Sequence, residues 1–193
     1  AETGPPSAVL LARRDQVPLY LPVRATDVTA VLYHDVEESA GLALEPLGRE
    51  LDAGLLDELE QRIVGPESGG VAHYVDGGTT SVDVGATADA AVWSPVDGTI
   101  TSIVPNVIDG TRYGDVISIQ PPDTSLVVIV GHVRAASGLR VGDRVFAKGG
   151  PRTQLGEVAD LSPVLDQELR RFTQDAGNHV HLEVRQNLPL ALP

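Results

Sequence analysis

Two histidines near the end of the sequence have the spacing of a reactive site. His179 and His181 are separated by one residue, and side chains at positions i and i+2 of a β-strand point to the same face. Two imidazoles on one face can supply a zinc ligand and a neighbour that stabilises charge or moves a proton. The alternative is a pair of surface or core histidines without a chemical role. The surrounding sequence is needed to distinguish these two interpretations.

The composition restricts what such a site could hold. The chain has no cysteine, so any metal must be bound by its five histidines and by carboxylates. A formal net charge of −13 disfavours a nucleic-acid partner, because phosphates are neutralised by clustered cations. No apolar run is long enough for a membrane span. The chain begins at Ala1 without a signal-peptide pattern, which fits an exported protein whose leader was removed, or a recombinant fragment.

The elements that must position the histidines are predicted to be mostly strands. From residue 71 onward, short apolar runs alternate with Gly, Pro, Asn and Asp, which is typical of a β-sandwich or barrel. Residues 1–16 lack periodicity and are predicted to be a tail or linker. Residues 28–36 and 42–47 are predicted strands that form a hairpin or an addition at a sheet edge.

Two short amphipathic helices are also predicted. Apolar residues recur at helical spacing from Leu51 to Ile63, and a second such segment runs from Pro163 to about Gln174 with Ser162 as its N-cap. A hairpin and one helix would bury too little apolar surface to fold alone. We therefore expect residues 17–70 to pack as an added layer on a main domain of residues 71–187, followed by a tail of residues 188–193.

Six short motifs surround the histidine pair and lie within residues 71–185. In order, they are VDVG (82–85), VWSPVDGTI (92–100), YGDVI (113–117), VIVGHV (128–133), LRVGDRV (139–145) and GNHVHLEV (177–184). In this order they resemble the LytM-type, or lysostaphin-like, zinc metalloendopeptidases. The resemblance implies a mostly β fold around a twisted antiparallel sheet with a groove, as in barrel-sandwich hybrid domains. It leaves the first seventy residues unexplained.

The resemblance also implies roles for four residues. Asp83 is similar to the family's carboxylate zinc ligand and His181 to its second histidine ligand. His132 and His179 resemble the pair that orients water and stabilises the oxyanion. Zinc supplies the Lewis acid in this chemistry, and the substrate class is a peptide cross-link of the bacterial cell wall.

The sequence departs from the family at the first metal ligand. That histidine is expected four residues before the aspartate, where this chain has Thr79. A catalytic zinc site has three protein ligands, so Asp83 and His181 alone leave it one short. The loss of a ligand is expected to weaken zinc binding about a hundredfold or more, or to abolish it.

His73 is one candidate for the missing ligand. The turn signal Asp76-Gly77-Gly78 predicts that residues 71–75 and 79–84 form a hairpin. With a three-residue loop His73 lies opposite Ser81 and shares the face of Asp83, whereas a two-residue loop places it on the other face. The alternative is a half-exposed strand histidine without a metal.

Two other residues have open interpretations. His34 is interpreted as a histidine at the end of a strand rather than a ligand. Glu183 shares the strand parity of His179 and His181, and either orients one of them as a hydrogen-bond acceptor or faces solvent.

Two functional hypotheses follow from the resemblance. The first is a degenerate, non-catalytic domain that binds cell-wall peptide or positions and activates a cell-wall hydrolase; it rests on Thr79 and on the predicted helix before the His-x-His motif. The second is an active zinc endopeptidase that cleaves peptidoglycan cross-links with a rearranged ligand set. Both predict an exported protein at the cell wall or cell surface.

Overall fold

The computed structural model describes residues 4–36, 40–52, 70–122 and 124–187. These residues form strands β1 Leu10–Arg14, β2 Val17–Tyr20, β3 Val31–His34, β4 Glu45–Pro46, β5 Tyr74–Asp76, β6 Ser81–Gly85, β7 Ala91–Trp93, β8 Gly98–Ile108, β9 Thr111–Gln120, β10 Leu126–Ala135, β11 Arg144–Val145, β12 Gln154–Val158 and β13 His179–Gln186. Helical structure in this part of the chain is limited to 3-10 turns at Ala25–Asp27 and Glu168–Arg171. Within the same residues, no helix has the length and apolar character needed to cross a membrane.

The strands form two sheets. A small sheet has the order β2-β1-β4, and a large sheet has the order β11-β8-β9-β10-β13-β6-β3-β5, with β12 joining β10 to β7. Neighbouring strands are antiparallel except β3 and β5, which are parallel. The expectation of a mostly β fold with an antiparallel sheet is therefore confirmed, and the large sheet is mixed at one edge.

Side-chain alternation along β13 separates the core from the site. Val180, Leu182 and Val184 are completely buried in the main apolar cluster. His179 and His181 have the opposite parity and therefore point to the other face of the sheet. The strand lies between β10 and β6, so both of its edges are hydrogen-bonded and its register is fixed.

The N-terminal residues are more integrated than the sequence suggested. The predicted tail contains β1, whose Leu11 and Ala12 are completely buried. The predicted strand runs 28–36 and 42–47 do not pair with each other: β3 enters the large sheet beside β6, and β4 pairs with β1 in the small sheet. The hydroxyl of Tyr33 on β3 donates to the backbone oxygen of Leu11 at 3.0 Å, which ties the two sheets together.

The predicted hairpin of residues 71–75 and 79–84 is wrong. Strand β3 lies between β5 and β6, so the two predicted partners are not neighbours in the sheet. His34 is paired with Ser81 on one side and with Asp76 on the other. The carboxylate of Asp35 accepts hydrogen bonds from the backbone N–H and hydroxyl of Thr80, which holds the end of β3 against β6.

The second predicted helix, residues 163–174, is also wrong. The segment has an isolated turn near Leu161 and then the 3-10 turn Glu168–Arg171, because Gln167 is extended between them with φ −78° and ψ 120°. Leu169 is completely buried, but Leu165 is 41% exposed, so the apolar residues do not share one helical face. The first predicted helix, from Leu51 to Ile63, lies outside the described residues beyond position 52.

Candidate metal centre

Strands β6, β13 and β10 bring Asp83 and His181 together. His181 is paired with Asp83 on β6 and with Gly131 on β10. A Cβ atom at Gly131 would lie 3.4 Å from the Cβ of His181, which is an ordinary van der Waals contact. The Nδ1 atom of His181 lies 2.7 Å from Oδ1 of Asp83. The local register of adjacent strands is therefore sufficient to form this part of the site.

His34 adds the third donor, and the sequence interpretation missed it. Its Nε2 atom lies 3.1 Å from Oδ2 of Asp83. One donor atom from each of His34, Asp83 and His181 lies within 4.8 Å of the other two. No local motif marks His34; the available signal was that it is one of only five histidines and follows a β-branched run.

His73, the candidate for the first ligand, and Thr79, which occupies the family's position for it, both lie outside the cluster of donors. The Nδ1–H of His73 donates to the backbone oxygen of Val71 at 2.9 Å, and its ring packs edge-on against Tyr33. His73 is buried rather than half-exposed, and it is not part of the cluster of donors. Thr79 precedes β6, and its backbone oxygen accepts a hydrogen bond from the backbone N–H of Leu44.

His132 and His179 form a contacting pair beside the three donors. Nδ1 of His132 lies 3.0 Å from Nε2 of His179, and the latter is also 3.3 Å from Oδ2 of Asp83. The Nδ1–H of His179 donates to the backbone oxygen of Gly177 at 2.8 Å, which orients the ring. His132 has a backbone φ of 60° at a register shift between β10 and β9. A left-handed conformation is costly for a histidine, and such strain is concentrated at functional sites.

The titratable groups of the site are coupled through Asp83. Burial would raise the pKa of Asp83, but His179, His181 and His34 outweigh this effect and hold it well below its usual range. Burial would lower the pKa of His181, but its hydrogen bonds to Asp83 and Glu183 raise it to about 9. The pKa of His34 is also raised, because its interaction with Asp83 outweighs burial. Burial and the imidazoles of His179 and His181 lower the pKa of His132 to about 3. The ionised carboxylate of Asp83 thus favours the protonated forms of His34 and His181.

Glu183 lies against the cluster. It is only 2% exposed, so the solvent-facing interpretation is wrong. Its Oε1 atom accepts a hydrogen bond from Nε2 of His181 at 2.9 Å, and its Oε2 atom accepts one from Nε of Arg185 at 2.7 Å. The second carboxylate of the site therefore contacts a candidate ligand on the side away from Asp83.

The three donors fit zinc by their chemistry. Two imidazole nitrogens and one carboxylate oxygen are a ligand set that zinc prefers, and catalytic sites use three protein ligands with a further position open. All three side chains are largely buried, with exposed fractions of 13% for His34, 5% for Asp83 and 16% for His181. The cluster therefore has the donor types and the number of protein ligands of a zinc site.

No protein family model matches the chain, and no curated protein sequence matches it. Among solved structures, the chain matches two structures of Helicobacter pylori Csd3 at low TM-scores. The structure from the hexagonal crystal has 22% identity and a TM-score of 0.38, and covers 57% of this chain and 24% of the Csd3 chain. The structure from the orthorhombic crystal has 18% identity and a TM-score of 0.39, and covers 91% of this chain and 37% of the Csd3 chain. This chain thus spans about a quarter to just over a third of the length of Csd3.

Proposed function

We propose that this protein is a zinc-dependent endopeptidase of the lysostaphin-like type that cleaves peptide cross-links of the bacterial cell wall. The observation that supports this most strongly is that His34, Asp83 and His181 each place one donor atom within 4.8 Å of the other two. The non-catalytic hypothesis rested in part on Thr79, which would leave the site with two ligands. A third donor from β3 supports the catalytic alternative, because three protein ligands are the number that a catalytic zinc requires.

In this proposal, three side chains bind the metal and two neighbouring imidazoles act on the water and the substrate. His34, Asp83 and His181 hold the metal, which supplies a Lewis acid for the scissile carbonyl and acidifies water. His179 is oriented through Gly177 and contacts His132, so the pair presents a fixed set of imidazole nitrogens beside the metal ligands. Because the pKa of His132 is lowered, its ring stays neutral near pH 7. With its one N–H on Nδ1 toward Nε2 of His179, the Nε2 lone pair of His132 can accept a hydrogen bond from the attacking water.

The substrate class and the location follow from the sequence resemblance and are part of the proposal. A cell-wall peptide is outside the membrane, so the protein acts as an exported enzyme at the cell wall or cell surface. The acidic chain, with a net charge of −13, has the charge opposite to that expected for a nucleic-acid partner.

The test is cleavage of purified peptidoglycan and of a synthetic cross-link peptide by the metal-stripped protein with and without added zinc. We expect zinc-dependent release of new amino groups, and a loss of at least about a hundredfold in kcat/KM for His181→Ala and for His132→Ala. His73→Ala is the matched control, because this buried histidine is outside the cluster. Zinc-loaded, folded protein without cleavage of either substrate would contradict the proposal.

One observation favours the non-catalytic alternative, in which the groove binds cell-wall peptide or the domain regulates a cell-wall hydrolase. The segment before the His-x-His motif packs against the site: Oε2 of Glu168 lies 4.0 Å from Nδ1 of His34, and Leu169 contacts Gly85. Such a segment could cover part of a substrate groove. Peptide binding at the site without zinc-dependent cleavage would support this alternative.

A further inference from the structure

Glu183 is a charged side chain buried within the large sheet. Its strand, β13, is paired on both sides, with Glu183 opposite Ile129 on β10 and opposite Ser81 on β6. A buried carboxylate is destabilising unless hydrogen bonds and opposite charge compensate for its lost hydration. Its hydrogen bonds from His181 and Arg185 supply both. The side chain is therefore fixed in position.

The contacts of His181 decide which of its nitrogens can bind a metal. Without metal, both ring nitrogens face carboxylate oxygens, Nδ1 that of Asp83 and Nε2 that of Glu183. A carboxylate oxygen accepts a hydrogen bond, so the nitrogen that faces Glu183 carries the N–H. The other nitrogen, Nδ1, faces Asp83. Asp83 is a member of the donor cluster and Glu183 is outside it, so Nδ1 is the nitrogen on the side of the metal.

We infer that Glu183 is a positioning residue that holds the N–H of His181 on Nε2 and directs its Nδ1 lone pair to the metal. This inference rests on the proposed function, because it requires His181 to be a ligand. The carboxylate also increases the basicity of the imidazole, and loss of such an outer partner typically costs about 10- to 100-fold in metal affinity.

His34 uses a different acceptor for the same purpose. Its Nδ1–H donates to the backbone oxygen of Asp35 at 3.3 Å, while its Nε2 faces Asp83. One histidine of the cluster is thus oriented by a neutral carbonyl and the other by a carboxylate. Arg185 neutralises part of the charge of Glu183 and holds its second oxygen, so it acts on His181 indirectly.

The experiment compares zinc affinity in wild-type, Glu183→Ala, Glu183→Gln and Arg185→Gln proteins by competition with a chromophoric chelator. We expect Glu183→Ala to weaken zinc binding about 10- to 100-fold. Glu183→Gln should lose less, because its amide oxygen can still accept from Nε2. Glu157→Ala is the matched control, since Glu157 is 45% exposed on β12 and pairs with Arg134.

A second readout separates positioning from a purely structural role. Nitrogen-15 NMR of the zinc-loaded wild type should show His181 with its proton on Nε2 and the metal on Nδ1, with the resonance assigned by comparison with His181→Gln. Glu183→Ala should shift the absorption bands of the cobalt-loaded protein, whereas Glu157→Ala should not. If Glu183→Ala does not fold, Arg185→Gln tests the same contact, with an expected smaller loss of zinc affinity.

The outcomes separate this inference from the proposed function. A wild-type protein that binds zinc through Nε2 of His181 overturns the inference and leaves the proposed function standing. The same conclusion follows if zinc affinity is unchanged within about twofold in the folded Glu183 variants, or in Arg185→Gln when those variants do not fold. A wild-type protein that binds no zinc overturns both.

Discussion

Replacing His34 with alanine should weaken zinc binding far more than replacing His73. The sequence offered His73 as the third ligand and interpreted His34 as a strand-end histidine, whereas the structure places His34 in the donor cluster. His34 reaches Asp83 at 3.1 Å, whereas His73 donates to Val71 and packs against Tyr33. The comparison therefore tests whether the inserted strand β3, rather than the segment before β5, completes the site.

The expected magnitude follows from the number of ligands. Zinc binding by a protein site contributes on the order of 10 kcal/mol. Three side chains form the cluster, so removing one imidazole should cost about 3 kcal/mol, which corresponds to an increase in Kd of about a hundredfold or more. For His73→Ala we expect a Kd within about twofold of wild type, together with a lower Tm, because the variant leaves a cavity beside Tyr33.

The assay is zinc titration of metal-stripped protein against a chelating indicator, at a temperature where circular dichroism shows both variants folded. Equal zinc affinities for His34→Ala and wild type would refute the reasoning from geometry. A large loss for His73→Ala alone would instead identify the histidine that the sequence hairpin model favoured.

Three further predictions concern protons, strain and a buried carboxylate. The pKa of His181 is raised to about 9 and that of His34 is also raised, so zinc must displace about one to two protons near pH 7. Zinc affinity should therefore rise roughly tenfold per pH unit for each proton until the pH passes about 9. Calorimetry in buffers of different ionisation enthalpy counts these protons, and no proton release would contradict the assignment. At position 132, where φ is 60°, His132→Gly should be more stable than His132→Ala by about 0.5–1 kcal/mol in urea unfolding, because only glycine adopts this conformation without strain; the reverse order would contradict it. Asp115 is 1% exposed and accepts hydrogen bonds from Arg112 and the backbone N–H of Ala135, so Asp115→Ala should lower the free energy of unfolding by about 2 kcal/mol. Asp166→Ala is the control, because the side chain of Asp166 is 95% exposed, and equal small losses in both variants would count against this role.

Local patterns predicted much of the site because they reflect strand geometry. His179 and His181 share a face of β13 because strand side chains alternate, and the same alternation buries Val180 and Leu182 on the core side. The pairing of His181 with Asp83 in adjacent strands places the two side chains on one face. These relations hold for any sheet that contains the two strands as neighbours.

The helix prediction for residues 163–174 failed for a different reason. Apolar residues at helical spacing predict a helix only if they all pack on one side. Here Leu169 fills a space beside Gly85, while Leu165 remains exposed and Gln167 is extended. Packing of single residues against the sheet overrode the periodicity.

The sequence by itself determined that this chain is mostly β, that a metal could be held only by histidine and carboxylate, and that Asp83, His132, His179 and His181 are the residues to consider. Only the tertiary structure decided that His34 completes the cluster. The reason is the insertion of β3 between β5 and β6, which joins positions 49 residues apart. A prediction that pairs consecutive strands cannot find this contact, because strand order in a sheet depends on which buried surfaces fit together and not on distance along the chain.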